Sequence, residues 1–254
     1  MARRRFYATR EAFDTEALSV TLTHEEARHL RDVLRLRRGD EAYVFDGEGR
    51  EYRGVVEDFN RDGARVGSLE EVTPARPESP LRLTLAVALL KGEKLDLVMQ
   101  KATELGVARI APVVTKLADV RLRDGRDAAK RVARWERIAL EAAKQCGRAR
   151  LPEISTPADF GDVIDGGATE ANEYRLMFSE RGGAGLDEAL KQMPAGSLAA
   201  TALVGSEGGW ADEELEQAAA SGWHVVTLGG RVMRAETAAI VVAALLQHLF
   251  GDLR

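Results

Sequence analysis

The chain has 254 residues, 45% hydrophobic and 30% charged, and its formal net charge is −5. This composition is ordinary for a globular protein of one large or two modest domains, and the negative charge argues against a uniformly basic nucleic-acid binder. No apolar run reaches the roughly 20 residues that span a bilayer, and no apolar segment follows the basic N-terminus, so we expect neither a membrane span nor a signal peptide. The single cysteine excludes an internal disulfide and a cysteine-based zinc site, which fits a reducing cytoplasm.

Residues 1–73 predict a small β-rich domain. Turn signals such as Asp46-Gly47 separate its strands, which are expected at residues 43–45, 51–59 and 64–72. On the middle strand, the inward-facing candidates are Tyr52, Val55 and Phe59. Short strands at this regular spacing are typical of a barrel.

A helix interrupts these strands. Thr23 is placed to cap it, with Glu26 at the capping-box position. Its predicted apolar stripe consists of Ala27, Leu30, Val33 and Leu34. Arginines recur on one flank of the helix. Together with the N-terminal arginines they form either a phosphate-binding patch or a solvated face balanced by nearby acids.

Residues 74–80 predict a stiff linker, because three prolines in residues 73–80 exclude a helix there. After it, apolar runs and amphipathic segments alternate, with strands expected at residues 81–90, 107–114, 174–178, 198–204 and 223–228, and helices at 95–105, 127–145, 157–163, from 213, and at 238–250. Such alternation predicts a parallel sheet with helices on both faces. The last helix is apolar on more than one face, which fits burial by its own sheet and by a partner.

Two strand ends carry glycine-rich loops. Gly205–Gly209 follow the apolar run that ends at Val204, and Asp212 can cap the helix beyond them. Gly229-Gly230 follow the run that ends at Leu228. Glycine has no Cβ and tolerates φ > 0, so both loops can bring backbone close to a ligand. Because the carboxyl ends of parallel strands share one edge, the loops predict one binding crevice, with two ordinary tight turns as the alternative.

Motifs for several other chemistries are absent from the sequence. There is no Gly-x-x-x-x-Gly-Lys-Ser/Thr loop for nucleotide phosphates and no Gly-x-Ser-x-Gly nucleophile elbow. No Gly-x-Gly-x-x-Gly motif follows the first strand after the linker, which weakens a dinucleotide-binding interpretation. The four histidines lack metal-ligand spacing, so we expect no metal site.

Two segments carry a resemblance to a known family. Residues 205–209, Gly-Ser-Glu-Gly-Gly, and residues 228–238, Leu-Gly-Gly-Arg-Val-Met-Arg-Ala-Glu-Thr-Ala, resemble the paired signature of SPOUT methyltransferases. They are most similar to the family that methylates N3 of uridine in small-subunit (16S) ribosomal RNA. Ser206 stands where that family usually has proline, and Ala235 stands where threonine is common. Looser similarity covers nearly all of the remaining chain, including residues 29–36, 90–91, 100–107 and 141–148.

The resemblance implies an α/β domain with a trefoil-knotted parallel sheet over residues 81–254 and a PUA-like β-barrel domain over residues 1–73 that holds RNA. It implies a cytoplasmic homodimer that binds S-adenosylmethionine without a metal and acts on ribosomal RNA, either naked or in the small-subunit particle. The expected reaction is methyl transfer to N3 of a uridine. Two alternatives stay open: a ribose 2′-O methyltransferase acting on another RNA, and a non-catalytic RNA-binding factor for ribosome assembly.

Candidate site residues follow from the signature and its chemistry. The candidate cofactor contacts are Leu203, Val204, Gly205, Gly209, Leu228, Val232, Met233, Thr237 and Ala238. The candidate RNA contacts are Arg5, Arg28, Arg35 and Arg148. Arg234 is a candidate catalytic residue, because a cation beside the uracil carbonyls favours the N3 anion. Glu236 is a candidate base or loop anchor, although an acid at a helix start also stabilises the helix dipole.

Overall fold

A computed structural model describes residues 3–60, 63–166, 173–191 and 198–253. The chain divides into two compact units: Met1–Glu78 with Leu140–Leu151, and Ser79–Ala139 with Pro152–Arg254. Residues 140–151, predicted to belong to the second domain, lie in the first unit of the structure. The connection between the strands predicted at residues 51–59 and 64–72 lies partly outside the described residues.

The described part of the first unit contains one sheet. Its strands are β1 (Arg5–Tyr7), β2 (Phe13–Asp14), β3 (Ser19–Leu22), β4 (Glu41–Phe45), β5 (Glu51–Phe59) and β6 (Ala64–Val72). The order is β1-β4-β5-β6-β3-β2, in which β1 and β4 run parallel and the other neighbours antiparallel. The core contains fully buried apolar side chains, among them Phe6, Leu22, Leu30, Val44 and Val56. The predicted β-rich domain is therefore confirmed.

The side-chain pattern of β5 differs from the prediction. Val55 was expected to face inward, but it is 39% exposed, and its neighbours Gly54 and Val56 are buried instead. The reason is a register shift between Arg53 and Val55 in the pairing with β6, which changes the alternation of side chains along the strand. The other two inward candidates, Tyr52 and Phe59, are half-buried.

The first helix, α1 (His24–Arg28), begins where the sequence predicts. The Thr23 hydroxyl accepts a hydrogen bond from the Glu26 amide at 3.4 Å, which satisfies one free donor of the first turn. The Glu26 carboxylate does not complete a capping box, because it accepts a hydrogen bond from the Lys144 ammonium. Burial alone would lower the pKa of Lys144, but this hydrogen bond raises it above its ordinary value.

The predicted apolar stripe of this helix ends after Leu30. The chain continues into a π-helical turn, His29–Val33, and the wider turn breaks the 3.6-residue repeat on which the prediction rests. Ala27 and Leu30 are buried as expected. Val33 and Leu34, predicted to be buried, are 63% and 36% exposed.

Arg5 closes the carboxyl end of α3 (Gly125–Cys146). Its guanidinium donates to the carbonyl oxygens of Ala143 at 2.9 Å and Arg148 at 2.8 Å, and it pairs with Glu51 at 2.9 Å. A cation in this position complements the negative end of the helix dipole. These contacts attach the end of α3 and the residues after it to the first unit.

The second unit contains the parallel sheet. Its strands are β7 (Arg82–Ala88), β8 (Arg109–Val114), β9 (Glu153–Ile154), β10 (Ala158–Asp159), β11 (Tyr174–Phe178), β12 (Ala184–Gly185), β13 (Ala199–Val204) and β14 (His224–Thr227). Its helices are α2 (Lys94–Glu104), α4 (Phe160–Asp165), α5 (Leu186–Leu190), α6 (Asp212–Ala220) and α7 (Ala235–Phe250), with the first part of α3. The strand order is β10-β8-β7-β13-β11-β14-β12, with β9 also on β8, and every pair is parallel.

Helices cover both faces of this sheet, as the alternation predicts. Side chains of one strand alternate between the faces. One face packs against α2 and α7 and buries residues such as Leu83, Leu85 and Val87. The other packs against α4 and α6 and buries residues such as Met177, Leu203 and Trp223.

The helices that follow the glycine-rich loops begin earlier than predicted. Asp212 is the first residue of α6 rather than its cap, and the Glu214 carboxylate fixes this turn by accepting a hydrogen bond from the Ala211 amide at 3.0 Å. α7 begins at Ala235, three residues before the predicted start at Ala238. None of the described helices combines the length and apolarity that crossing a bilayer requires. The trefoil knot stays a prediction.

Candidate active site

A cavity of about 420 Å³ lies at the carboxyl ends of β11, β13 and β14. These strands end at one level of the sheet, because Phe178 pairs with both Val204 and Val226. The apolar walls come from Phe178, Val204, Leu228, Met233, Ala238 and Val242. Charged groups at the cavity are Lys94, Glu180, Glu207, Arg231 and Arg234. Apolar walls with a few charged groups at this edge of a parallel sheet are typical of a small-molecule site.

The indole of Trp210 joins two of the loops around the cavity. Its Nε1–H donates a hydrogen bond to the carbonyl oxygen of Phe178 at 2.8 Å, and the side chain is 1% exposed. The ring lies directly against Gly205, where a Cβ would stand 3.0 Å from the ring carbon Cε2. Glycine at 205 therefore lets the indole reach the end of β11.

Gly209 closes the loop after β13 by donating its amide to the Ser206 carbonyl at 3.0 Å, with a φ of 69°. A Cβ at this position would lie 2.5 Å from Glu180 Oε1, so conformation and space both favour glycine. Gly229 and Gly230 also have positive φ, 66° and 68°, but no described atom lies within 4 Å of a Cβ built there. Their backbone is therefore open to a ligand.

Glu207 is held by two donors, the side chain of Lys94 at the start of α2 and the amide of Lys91 just before that helix. Lys94 Nζ donates to its Oε1 at 2.8 Å, and the Lys91 amide donates to the same oxygen at 3.2 Å. Burial alone would raise the pKa of the Glu207 carboxyl, but these hydrogen bonds lower it below its ordinary value. The side chain is therefore a carboxylate at neutral pH, and it attaches the Gly205–Gly209 loop to α2.

Arg181 attaches the same loop to the end of β11. Its Nη2 donates to the Trp210 carbonyl at 2.5 Å and lies 3.3 Å from the Asp212 carboxylate. Glu180 lies 3.7 Å from the same guanidinium, a longer contact, and its side chain is 36% exposed. Glu180 is thus a weakly paired carboxylate at the wall of the cavity.

Arg234 and Glu236 stand at the start of α7 with different surroundings. The Arg234 carbonyl accepts a hydrogen bond from the Ala238 amide at 2.8 Å, which makes Arg234 the N-cap. Its side chain is exposed at the cavity and makes no ion pair with any residue that the structure describes. Glu236 lies in the first turn, off the cavity wall, and its Oε2 is buried without a hydrogen-bond partner among the described residues.

Most of the candidate cofactor contacts surround this cavity: Val204, Gly205, Gly209, Leu228, Val232, Met233 and Ala238. Two do not. Leu203 is fully buried on the opposite face of the sheet, because neighbouring side chains of β13 alternate between the faces. Thr237 lies inside α7 rather than at its cap, because the helix begins earlier than predicted, and its exposed side chain is not part of the wall.

One wall of the cavity was not predicted from the sequence. The residues concerned are Lys94, Phe178, Ser179, Glu180 and Trp210. A signal exists for the loop after β11, because residues 174–178 are predicted as a strand and glycines follow at 182 and 183. Lys94 has no such signal, since its partner Glu207 is 113 positions away in the sequence.

The four candidate RNA contacts divide into two kinds. Arg28 and Arg35 are exposed. Arg5 and Arg148 are 8% and 4% exposed; Arg5 binds carbonyl oxygens of its own unit, and Arg148 pairs with Glu78 at 2.7 Å. A buried guanidinium with internal partners does not reach a phosphate, so Arg5 and Arg148 hold the unit together instead of meeting RNA.

Two family models match the sequence. An RNA methyltransferase domain matches residues 77–247, and an RNA methyltransferase PUA domain matches residues 22–67. Among curated proteins, the chain is 35% identical over 233 residues to the ribosomal RNA small subunit methyltransferase E of Synechocystis sp., an alignment that covers 91% of this chain and 73% of the relative.

Solved structures show the same similarity. The ribosomal RNA small subunit methyltransferase E of Neisseria gonorrhoeae, bound to S-adenosyl methionine, matches with a TM-score of 0.86 and 32% identity over 100% of both chains. A putative methyltransferase from Legionella pneumophila, in complex with the bound cofactor SAM, matches with a TM-score of 0.86 and 31% identity over 100% of both chains.

Proposed function

Because this chain belongs to the ribosomal RNA small subunit methyltransferase E family, we propose that it transfers the methyl group of S-adenosylmethionine to N3 of a uridine in small-subunit ribosomal RNA. The observation that carries the proposal is the cavity at the ends of β11, β13 and β14, where apolar walls, glycine-bearing loops and Arg234 meet. The RNA is either naked or part of the small-subunit particle.

The residues around the cavity fit this cofactor. The cavity volume of about 420 Å³ lies in the range of small-molecule sites. Leu228, Met233 and Val242 offer apolar contacts for the faces of the adenine. The space beside Gly229 and Gly230 lets the edge of the adenine approach the backbone closely, while the Gly229 amide donates to Thr227 Oγ1 at 3.2 Å. When bound, S-adenosylmethionine supplies a methyl group already activated by the sulfonium, so the protein has to orient the nucleophile and manage one proton.

Arg234 is the proposed catalytic residue. Uridine N3 carries a proton and is a poor nucleophile while neutral. A guanidinium beside the uracil carbonyls lowers the pKa of N3–H and stabilises the anion. The exposed position of Arg234 at the cavity, without an internal ion pair among the described residues, leaves its charge available for this purpose.

For Glu236 we propose a structural role. It lies in the first turn of α7, where a carboxylate stabilises the positive end of the helix dipole. Glu236 does not line the cavity, which favours this stabilising role over direct proton abstraction. Of the candidate RNA contacts, the exposed Arg28 and Arg35 are the two that we propose to meet phosphates.

We further propose that the enzyme is a homodimer and acts in the cytoplasm, as the family membership suggests. Support for the dimer comes from α7. One face of this helix packs in the core, with Val242 and Leu246 buried, yet Leu249 is 44% exposed and Ile240 and Val241 are half-exposed. A second copy would cover this remaining apolar face.

Methyl transfer with labelled S-adenosylmethionine tests the proposal. The substrates are small-subunit RNA and small-subunit particles from cells that lack the protein, and the labelled nucleoside is identified by mass spectrometry after digestion, with and without a chelator. We expect N3-methyluridine in both conditions. A label on a ribose 2′-oxygen would contradict the proposed reaction, and failure to bind S-adenosylmethionine in calorimetry would contradict an enzymatic function.

A further inference from the structure

Val33 and Leu34 form an exposed apolar pair in the first unit, called the apolar tip below. Val33 is 63% exposed and Leu34 36%. On either side, Leu30 and Leu36 are 0% and 2% exposed and belong to the core of the unit. The tip therefore projects into solvent between two fixed points instead of lying on a mobile end.

The backbone keeps this tip outside the core. The Leu34 amide donates to the His29 carbonyl at 3.0 Å, and the Leu36 amide donates to the Leu30 carbonyl at 3.0 Å. Between them, Arg35 has a φ of 55°, a left-handed conformation that is unfavourable for a residue with a Cβ. π-helical turns and left-handed residues other than glycine are concentrated at functional sites.

Exposed arginines flank the tip along the chain. The exposed arginines of this segment are Arg28, Arg31, Arg35, Arg37 and Arg38. Arg31 pairs with Asp32 at 2.7 Å, and among the described residues the other four guanidinium groups have no ion pair. The next acid, Asp40, accepts a hydrogen bond from the Arg37 amide at 2.7 Å. Exposed apolar side chains flanked in the chain by arginines without an ion pair match a polyanion that also exposes apolar faces.

Single-stranded RNA has this combination, because its unstacked bases present flat apolar faces between phosphates. We propose that the apolar tip packs against an unstacked base of the RNA while the four unpaired arginines hold the neighbouring phosphates. The inference rests on the proposed function for RNA as the substrate. The apolar tip would select single-stranded over double-stranded RNA, because the base faces of a duplex are already stacked.

The test replaces the tip by polar residues of similar size, Val33→Thr with Leu34→Asn. The matched control is Val55→Thr with Leu18→Asn, since these residues of the same unit are 39% and 55% exposed. Affinity is measured by fluorescence anisotropy, at several salt concentrations, for a single-stranded oligouridylate and a blunt RNA duplex of equal length. We expect the tip variant to bind the single strand about tenfold more weakly, the effect of losing roughly one side chain of apolar burial.

In the tip variant, binding to the duplex, the salt dependence, the thermal unfolding temperature and the S-adenosylmethionine affinity should stay unchanged. The control should match the parent protein in its affinity for the single strand, the duplex and S-adenosylmethionine. Unaltered single-strand affinity, or an equal loss on the duplex, would overturn the inference. A shift of the tip variant to a smaller species in sedimentation would also overturn it, because the tip would then be a contact between copies. Failure of the parent protein to transfer methyl groups would instead contradict the proposed function.

Discussion

The indole Nε1–H of Trp210 donates a hydrogen bond to the carbonyl oxygen of Phe178 across 2.8 Å. It connects residues 32 positions apart and holds the loop after β13 against the end of β11. Because the same ring packs on Gly205, this one side chain sets the position of two walls of the cavity. Cofactor binding should therefore depend on it.

Trp210→Phe removes the indole donor to the Phe178 carbonyl. We expect a loss of about 1–3 kcal/mol in the free energy of unfolding and a weaker affinity for S-adenosylmethionine, measured by denaturant titration and calorimetry. Trp135→Phe is the control, because Trp135 is 3% exposed and its indole makes no hydrogen bond to a described residue. Equal losses of affinity in both variants would mean that the hydrogen bond has no special part in the site.

Gly209→Ala should lower cofactor affinity. Its φ is 69° and the added Cβ would lie 2.5 Å from Glu180 Oε1, so the loop has to shift. The control is Gly222→Ala after α6, which has a φ of 79° but lies away from the cavity. Both variants should lose about 1–2 kcal/mol of stability, while only Gly209→Ala loses affinity in calorimetry, by more than about tenfold. Unchanged affinity would show that residues 205–209 are an ordinary turn.

Because of the ion pair between Lys94 and Glu207, the stability of the fold should vary with pH in the acid range. The folded-state pKa of Glu207 lies below its ordinary value of 4.5, so its contribution is fully present above that value and is lost as the pH falls through the folded-state pKa. Thermal unfolding between about pH 3 and 7 should fall less steeply at acid pH in Glu207→Gln than in the parent protein. Lys94→Met should move the loss to higher pH, because the first of the hydrogen bonds that lower the pKa is gone. The exposed Glu188→Gln is the control, and an identical curve for Glu207→Gln would contradict this prediction.

Arg28→Gln with Arg35→Gln should weaken RNA binding and reduce its salt dependence. Each lost phosphate contact lowers the slope of log affinity against log salt by roughly 0.7–0.9. The control is Arg53→Gln with Arg65→Gln, exposed arginines of the same unit that already pair with Glu70 and Glu57. Anisotropy titrations at several salt concentrations measure the slope. If the two double variants behave alike, Arg28 and Arg35 belong to a solvated face without a specific contact.

Arg234→Lys should slow methyl transfer more than it weakens either ligand. Lysine keeps the charge but lacks the planar fork, and loss of a positioned electrostatic group commonly costs on the order of 10²-fold in rate. The defect should shrink as the pH rises towards the pKa of N3–H, since solution then supplies the anion. Single-turnover methylation with saturating RNA and cofactor measures it. A defect independent of pH would show that Arg234 positions a ligand, and a defect confined to RNA affinity would make it a phosphate contact.

Local patterns in the sequence suffice for much of the fold. Strands at residues 51–59, 64–72 and 174–178 match the structure, because alternation and flanking turn residues are recorded within a few positions. The glycines after β13 and β14 likewise indicate the edge where the cavity lies, since a positive φ is a local requirement. The sequence by itself thus determined the parallel sheet, the β-rich first unit and two of the loops around the cavity.

Tertiary structure decided what depends on partners far apart in the chain. The helical repeat predicts burial of Val33 and Leu34, but the π-helical turn directs them outward. Arg5 reads as a free basic residue in the sequence, yet it closes the end of a helix 138 positions away. An arginine has the same local signature whether it meets solvent, a phosphate or a carbonyl. Only the folded chain, which brings its partners within hydrogen-bonding distance, determines which of these it binds.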